Sequence, residues 1–270
     1  MHSHGMVRIE RKVRTVELTM AALAVPGDLI ELGCNSGGTA VLMLATLRDY
    51  APRHSGRLFY AADSFQGLPT PTVEDAINYS AHRHWHQGQH RTSVGSFNSN
   101  LRRNGLFEGD TPSMLRVLEG WFHDTLPRAP IERVAFLRLD GDLYGSTMDG
   151  LRILYDRVSI GGLIYADDYM ATGCRRAVHE FRAARGITTP LVPVWSCCWN
   201  INGTSLPFFE AVWWQKQPAA AGGDGGVDGA SDASERSYTV VHTAWNASFA
   251  TAPSYRQRLC EIVPCLRSTA

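Results

Sequence analysis

Several things are missing from this chain, and each absence narrows what it can be. No run approaches the roughly 18 apolar residues needed to span a bilayer, and the amino-terminal MHSHGMVRIERKVR has no apolar core for a secretion signal. The expectation is a soluble, cytoplasmic protein with no membrane partner. An excess of one charge is missing too. Lys plus Arg and Asp plus Glu both number 26, so no global field gathers nucleic acid or an anionic surface. Cysteine is sparse and unpaired in spacing: Cys34, Cys174, Cys197, Cys198, Cys260 and Cys265 form no C-x-x-C, in a chain that at 270 residues needs no disulfide staples. Buried thiols are expected. His82, His84, His86 and His90 crowd a polar loop without cysteine partners, which argues against a zinc site.

What is present is a chain 44% hydrophobic and 19% charged, enough for one α/β domain with a packed core. It is organised around residues 133–170, where the apolar runs RVAFLRLDGDLYGST and SIGGLIYADDYM each end in acidic residues. Val134–Leu139 and Leu163–Ala166 read as buried strands of a parallel sheet. Between them, Met148, Leu151, Leu154, Tyr155 and Val158 recur at helical spacing, with Ser146 or Thr147 as cap and Gly161-Gly162 as stop. A strand–helix–strand unit makes the strands parallel, so Asp140, Asp142, Asp167 and Asp168 converge at one edge. One such Asp is usually a helix cap. Four at adjacent strand ends repel unless hydrogen-bonded, protonated or neutralised by a cation, and oxygen-only ligands favour Mg²⁺.

Residues 6–25 form an amphipathic helix. Asp28–Gly33 is a strand that runs into CNSGG and a helix from Thr39, with Gly33 and Gly37 admitting a ligand near the helix start and Ser36 or Thr39 as cap. The spacing E-x-G-x-x-x-G-G departs from the dinucleotide fingerprint and suits a nucleoside without phosphates. Arg57–Ala62 is a second strand ending in Asp63-Ser64, an acidic position that commonly receives ribose hydroxyls. Residues 65–104 read as a lid, and SMLRVLEGW as a third strand ending at Gly120-Trp121. Trp121 either stacks an adenine or fills core. CRRAVHEFRAARG is a helix with Ala177, Val178 and Phe181 inward, and two strands near 191–195 and 208–214 turn at Asn202-Gly203. Beyond Gln217 the Gly/Ala/Asp-rich stretch reads as a linker and disordered tail over 218–270. Three parts result: a helical segment 1–25, a catalytic domain 26–217 and the tail.

PGDLIELGCNSGG, ADSFQGLP, GWFHDTLP, LRLDGDLYGST and ADDY followed by GCRRAVHEFRA resemble, in order and spacing, the macrocin O-methyltransferase family. The resemblance covers about residues 14–195. It implies a Rossmann-like class I methyltransferase fold, a mostly parallel seven-stranded sheet with a terminal antiparallel hairpin, using S-adenosylmethionine and Mg²⁺ to methylate sugar hydroxyls of natural products. Carried across, Glu31, Gly33 and Gly37 fall on the cofactor turn, Asp63 with Ser64 on the ribose, Gly120 and Trp121 beside the adenine, and Asp140, Asp167 and Asp168 on the metal. Asp140 or Asp142 receives the acceptor's proton, since Leu143 stands where related catechol-type enzymes carry a lysine; His123 is a weaker candidate. Asp167→Ala is expected to abolish turnover with the fold intact. The partner is a small hydroxyl acceptor. A homo-oligomer touching through the amino-terminal helix fits the resemblance, although packing of that helix on its own sheet explains its pattern equally well. A dinucleotide-dependent dehydrogenase and a catalytically degenerate scaffold are the rival readings.

Overall fold

The apolar runs become strands because both faces of each are covered. In a computed structural model that describes residues 7–51, 56–75, 85–107, 111–201 and 204–218, β1 (Asp28–Leu32), β2 (Phe59–Asp63), β3 (Leu115–Glu119), β4 (Val134–Leu139) and β5 (Val158–Ala166) pair in parallel. β6 (Val192–Ile201) and β7 (Thr204–Gln215) are antiparallel to each other, and β7 is antiparallel to β5. The order β3-β2-β1-β4-β5-β7-β6 is the expected seven-stranded sheet. His82, His84, Asn202, Gly203 and 219–270 lie outside the described residues; the chain divides by compactness into Met1–Gln217 and Pro218–Ala270.

Helix α1 (Ile9–Ala22) packs against α2 (Gly38–Tyr50), while α6 (Tyr144–Leu154) packs against α7 (Thr172–Ala184). Right-handed crossovers leaving β1 and β4 in opposite directions put these pairs on opposite faces of the sheet. Between them Ile30, Leu137 and Ile164 are fully buried, and truncating any one to alanine costs about 2–5 kcal/mol. Three shorter helices, α3 (Val94–Arg103), α4 (Thr111–Met114) and α5 (Phe122–Thr125), fill the crossovers around β3. The strand order reverses between β1 and β4, the switch point where open α/β sheets bind ligands. Register makes that edge level: Leu32 faces Leu139 and Leu139 faces Ala166, so Gly33, Asp140 and Asp167 leave the sheet side by side.

Two local expectations are corrected. Neither Ser146 nor Thr147 caps α6, which starts earlier, at Tyr144; its first N–H donates to Asp75 Oδ1 at 2.7 Å, a cap brought from 69 residues away. Gly161 and Gly162 do not stop that helix, because a 3₁₀ turn at Tyr155–Arg157 ends it and β5 already runs from Val158. The buried face of α1, comprising Arg11, Thr15, Val16, Leu18, Thr19 and Ala22, belongs to this subunit's own body.

Candidate active site

The turn after β1 is built for close approach. Gly33 has φ +88°, and a Cβ there would lie 1.8 Å from the carbonyl oxygen of Asp140, so only glycine lets the two strand ends touch. Asn35 is also left-handed, at φ 45°. Its N–H donates to Asp63 Oδ2 at 2.8 Å, and Phe65 N–H donates to Asp63 Oδ1 at 2.7 Å. Burial raises the Asp63 carboxyl while these two N–H groups oppose the rise. The Asn35 amide donates to His90 O at 2.8 Å and Ser36 Oγ lies 3.0 Å from Thr92 Oγ1, which ties the turn to the lid.

Gly37, at φ +82°, precedes α2 and no side chain caps that helix. The expected caps are spent elsewhere: Ser36 on Asn35 and Thr92, and Thr39 as a donor to Glu31. The first N–H groups of α2 are therefore left for a ligand, with the positive end of the helix dipole behind them.

A cavity of about 370 Å³ opens at the switch point, within the usual range for a small-molecule site. One end is walled by Gly120, Trp121, Phe122 and His123; the middle by Asp63, Ser64 and the lid residues Gly67 and Leu68; the other end by Gly33, Cys34, Asn35, Ser36, Gly38 and Thr39. Asp140 and Asp142 line it beneath. Trp121 thus belongs to the cavity wall. Glu31 and Gly37 act behind the wall: Glu31, 0% exposed, accepts from Thr39 and from Arg138, so it holds the turn instead of facing the cavity.

The acidic edge contains guanidinium groups that the sequence reading passed over. Arg138, fully buried in β4, places Nη1 2.8 Å from Glu31 Oε1 and 2.5 Å from Asp140 Oδ2, and Nη2 2.8 Å from Asp167 Oδ1. Arg11 of α1 donates to Asp167 Oδ2 at 2.5 Å and lies 3.3 Å from Glu210, which Arg8 also pairs at 3.4 Å. Burial pushes Asp167 up to about 6 against the pull of Arg138. For Asp140 burial also raises, but Arg138 and Arg11 outweigh it and hold the carboxyl below its ordinary value. Asp168 has less help: burial and then the charges of Asp142, Asp140 and Asp167 drive it far up against the weaker pull of Arg11. It accepts from Asp142 N–H at 3.0 Å.

One carboxylate oxygen from each of Asp140, Asp167 and Asp168 lies within 4.8 Å of the others. Arg11 and Arg138 match only two charges among Glu31, Asp140, Asp167 and Asp168, so the buried cluster carries more negative charge than its guanidiniums neutralise. The residue set fits a hard divalent cation in both donor type and missing charge. Asp142, at φ 60°, stands beside this cluster in the cavity wall. His123 lies apart, 60% exposed and 3.6 Å from Asp149. Cys34 and Cys174 are buried free thiols, as expected.

A sheet that reverses its order beside this glycine turn, with an acidic residue closing β2 and a nucleoside-sized cavity, defines a class I methyltransferase, the fold that uses S-adenosylmethionine. The structure of the O-methyltransferase NovP superposes with a TM-score of 0.64 at 34% identity, over 80% of this chain and 84% of that one. The chain belongs to the macrocin-O-methyltransferase (TylF) family, which it matches over residues 2–200, and it is an O-methyltransferase. It is 38% identical over 218 residues to 8-demethyl-8-(2,3-dimethoxy-alpha-L-rhamnosyl)-tetracenomycin-C 4'-O-methyltransferase of Streptomyces olivaceus, covering 80% of this chain and 76% of that protein. With mycinamicin III 3''-O-methyltransferase of Micromonospora griseorubida it shares 39% identity over 193 residues, 70% and 73% of the two chains. These findings replace the dehydrogenase reading. Among the described residues no helix is long and apolar enough to cross a membrane.

Proposed function

We propose that the protein transfers a methyl group from S-adenosylmethionine to a hydroxyl on the sugar of a glycosylated natural product, with Mg²⁺ held by Asp140, Asp167 and Asp168. The observation that carries this reading is the single cavity that joins Asp63 and Gly120-Trp121 to Asp140 and Asp142. The relatives' names support the acceptor class, since one methylates the 4' position of a rhamnosyl-bearing tetracenomycin and another the 3'' position of mycinamicin III. The rhamnosyl acceptor already carries 2,3-dimethoxy groups, so the oxygen next to the reacting hydroxyl can be an ether as well as a hydroxyl.

Trp121 and Gly120 would hold the adenine, Asp63 and Ser64 the ribose, and Gly33 with the start of α2 the methionine end. Mg²⁺, when bound, polarises the acceptor hydroxyl and lowers its pKa, which a neutral hydroxyl requires to become a nucleophile. Arg138 and Arg11 keep Asp140 ionised and fix Asp167, so the carboxylates are positioned before substrate arrives. Asp142, in the cavity wall beside the three-carboxylate cluster, receives the acceptor's proton. Gly67, Leu68 and Pro69 add apolar wall to the cavity and would limit water around a bound cofactor.

The test is a matched pair of acceptors, a macrolide or anthracycline-type glycoside and its aglycone, incubated with S-adenosylmethionine and Mg²⁺ and followed by mass spectrometry. Methylation confined to the glycoside supports the reading. Equal methylation of the aglycone, or methylation of a simple catechol with none on any glycoside, refutes the acceptor class.

A further inference from the structure

The amino-terminal helix contributes more to the cavity than a supporting wall. Val7 and Lys12 line it together with the turn after β1 and the first residues of α2. Lys12 is half-buried, and among the described residues its amine has neither a hydrogen bond nor an ion pair, although its neighbours on the same helix are committed: Arg11 to Asp167, Arg14 to Glu17 and Arg8 to Glu210. A half-buried lysine in a cavity wall with no anion beside it among the described residues is placed to pair with an anionic ligand.

The cavity's own layout says which anion fits. Adenine takes the Gly120–Phe122 end and ribose the Asp63 position at the end of β2, which leaves the β1–α2 turn for the amino-acid end of the cofactor. Helix α1 packs directly on α2, so Lys12 lies over that same end. An amino acid brings one anionic group there, its α-carboxylate, while Asp140 and Asp167 of the acidic edge are already paired with Arg138 and Arg11.

We infer that Lys12 is a cofactor-binding residue whose ammonium pairs with the α-carboxylate of S-adenosylmethionine, making α1 part of the cofactor site. This inference rests on the S-adenosylmethionine reading of the cavity and adds a ligand contact from a segment that sequence alone set apart as a separate helix. It also gives α1 two tasks on successive residues, Arg11 fixing the acidic edge and Lys12 holding the cofactor, so that binding and acid positioning share one rigid element.

The test is calorimetry on the full chain with two probes. S-adenosylhomocysteine carries the amino-acid end; 5'-methylthioadenosine has the same nucleoside without it. Lys12→Met is expected to weaken S-adenosylhomocysteine by roughly tenfold to a hundredfold, the usual range for one charge-assisted hydrogen bond, and to leave methylthioadenosine unchanged. Lys12→Arg, which keeps the charge, is expected to recover most of the loss. Unaltered S-adenosylhomocysteine affinity in Lys12→Met overturns the assignment, and so does an equal loss for both probes, which is what a merely structural lysine produces. Should Lys12→Met not fold, Lys12→Gln takes its place with the same criteria. If the unmodified protein binds neither probe, the cofactor reading itself falls, and this inference with it.

Discussion

Removing the guanidinium of Arg138 by Arg138→Met keeps much of the side-chain volume but leaves three carboxylates, Glu31, Asp140 and Asp167, without the cation that lies 2.5–2.8 Å from each. Deleting one partner of a buried ion pair costs about 3–5 kcal/mol. For a chain of this size that is a fall of about 6–20 °C in Tm, at about 2–4 °C per kcal/mol. The loss has a pH signature. Burial raises the Glu31 carboxyl to about 7 from an ordinary 4.5, even with Arg138 pulling it down. A carboxyl raised in the folded state binds more protons folded than unfolded, so stability falls as pH rises from the unfolded value through the folded one. Without Arg138 the carboxyl rises further, and the difference between variant and parent must widen between pH 5 and pH 8. Glu31→Gln in the Arg138→Met background is expected to recover part of the loss and to flatten this dependence. Thermal unfolding followed by circular dichroism at the two pH values measures all of it. A variant less than about 1 kcal/mol weaker at both pH values, below the 3–5 expected for a broken buried pair, refutes the claim that this network holds the site.

Gly33→Ala is expected to abolish S-adenosylhomocysteine binding and lower Tm, since its Cβ would meet backbone at 1.8 Å in a left-handed conformation; calorimetry with wild-type affinity would contradict it. Asp75→Ala removes the cap on Tyr144 N–H and is expected to cost about 1 kcal/mol in denaturant unfolding, with a loss near zero contradicting the tertiary cap. His179 accepts or donates to Tyr169 Oη at 2.6 Å and is held below its ordinary pKa by burial, then by Arg182 and Arg175. The folded state therefore binds fewer protons there, and stability is lost as pH falls through about 6.5, the unfolded value. In His179→Gln that part of the acid loss disappears from the Tm–pH curve.

The sheet was legible because strands buried on both faces must be continuously apolar: VAFLRL and GLIYA admit little else. The acidic residues were legible for the same reason, since they mark where each run stops. What escaped was long-range. Arg138 is a lone cation inside a buried strand two residues before Asp140, a signal the sequence does contain, because an arginine there needs carboxylates around it. Arg11 gives no such signal, as its partner Asp167 is 156 residues away and reaches it only through the packing of α1. Separation along the chain, here 69 residues, also hid the cap on α6, for which Ser146 and Thr147 were locally sufficient candidates. Glu31 was placed with the cofactor by its position in the turn, and only the side-chain direction shows it facing Arg138. Arg138 and Arg11 also change what can be learned by mutation: Asp167→Ala strands two buried guanidiniums and tests folding together with chemistry, whereas Asp168, which among the described residues forms no ion pair with an arginine, is the better residue for isolating the chemistry.

The most direct measurement is methyl transfer from labelled S-adenosylmethionine to a glycoside acceptor in the presence of a chelator, followed by return of Mg²⁺, for the parent protein and for Asp168→Asn. The account predicts that the chelator stops transfer, that Mg²⁺ restores it in the parent, and that Asp168→Asn stays inactive while keeping its Tm and its affinity for S-adenosylhomocysteine. Undiminished transfer in chelator, or a fully active Asp168→Asn, would contradict it.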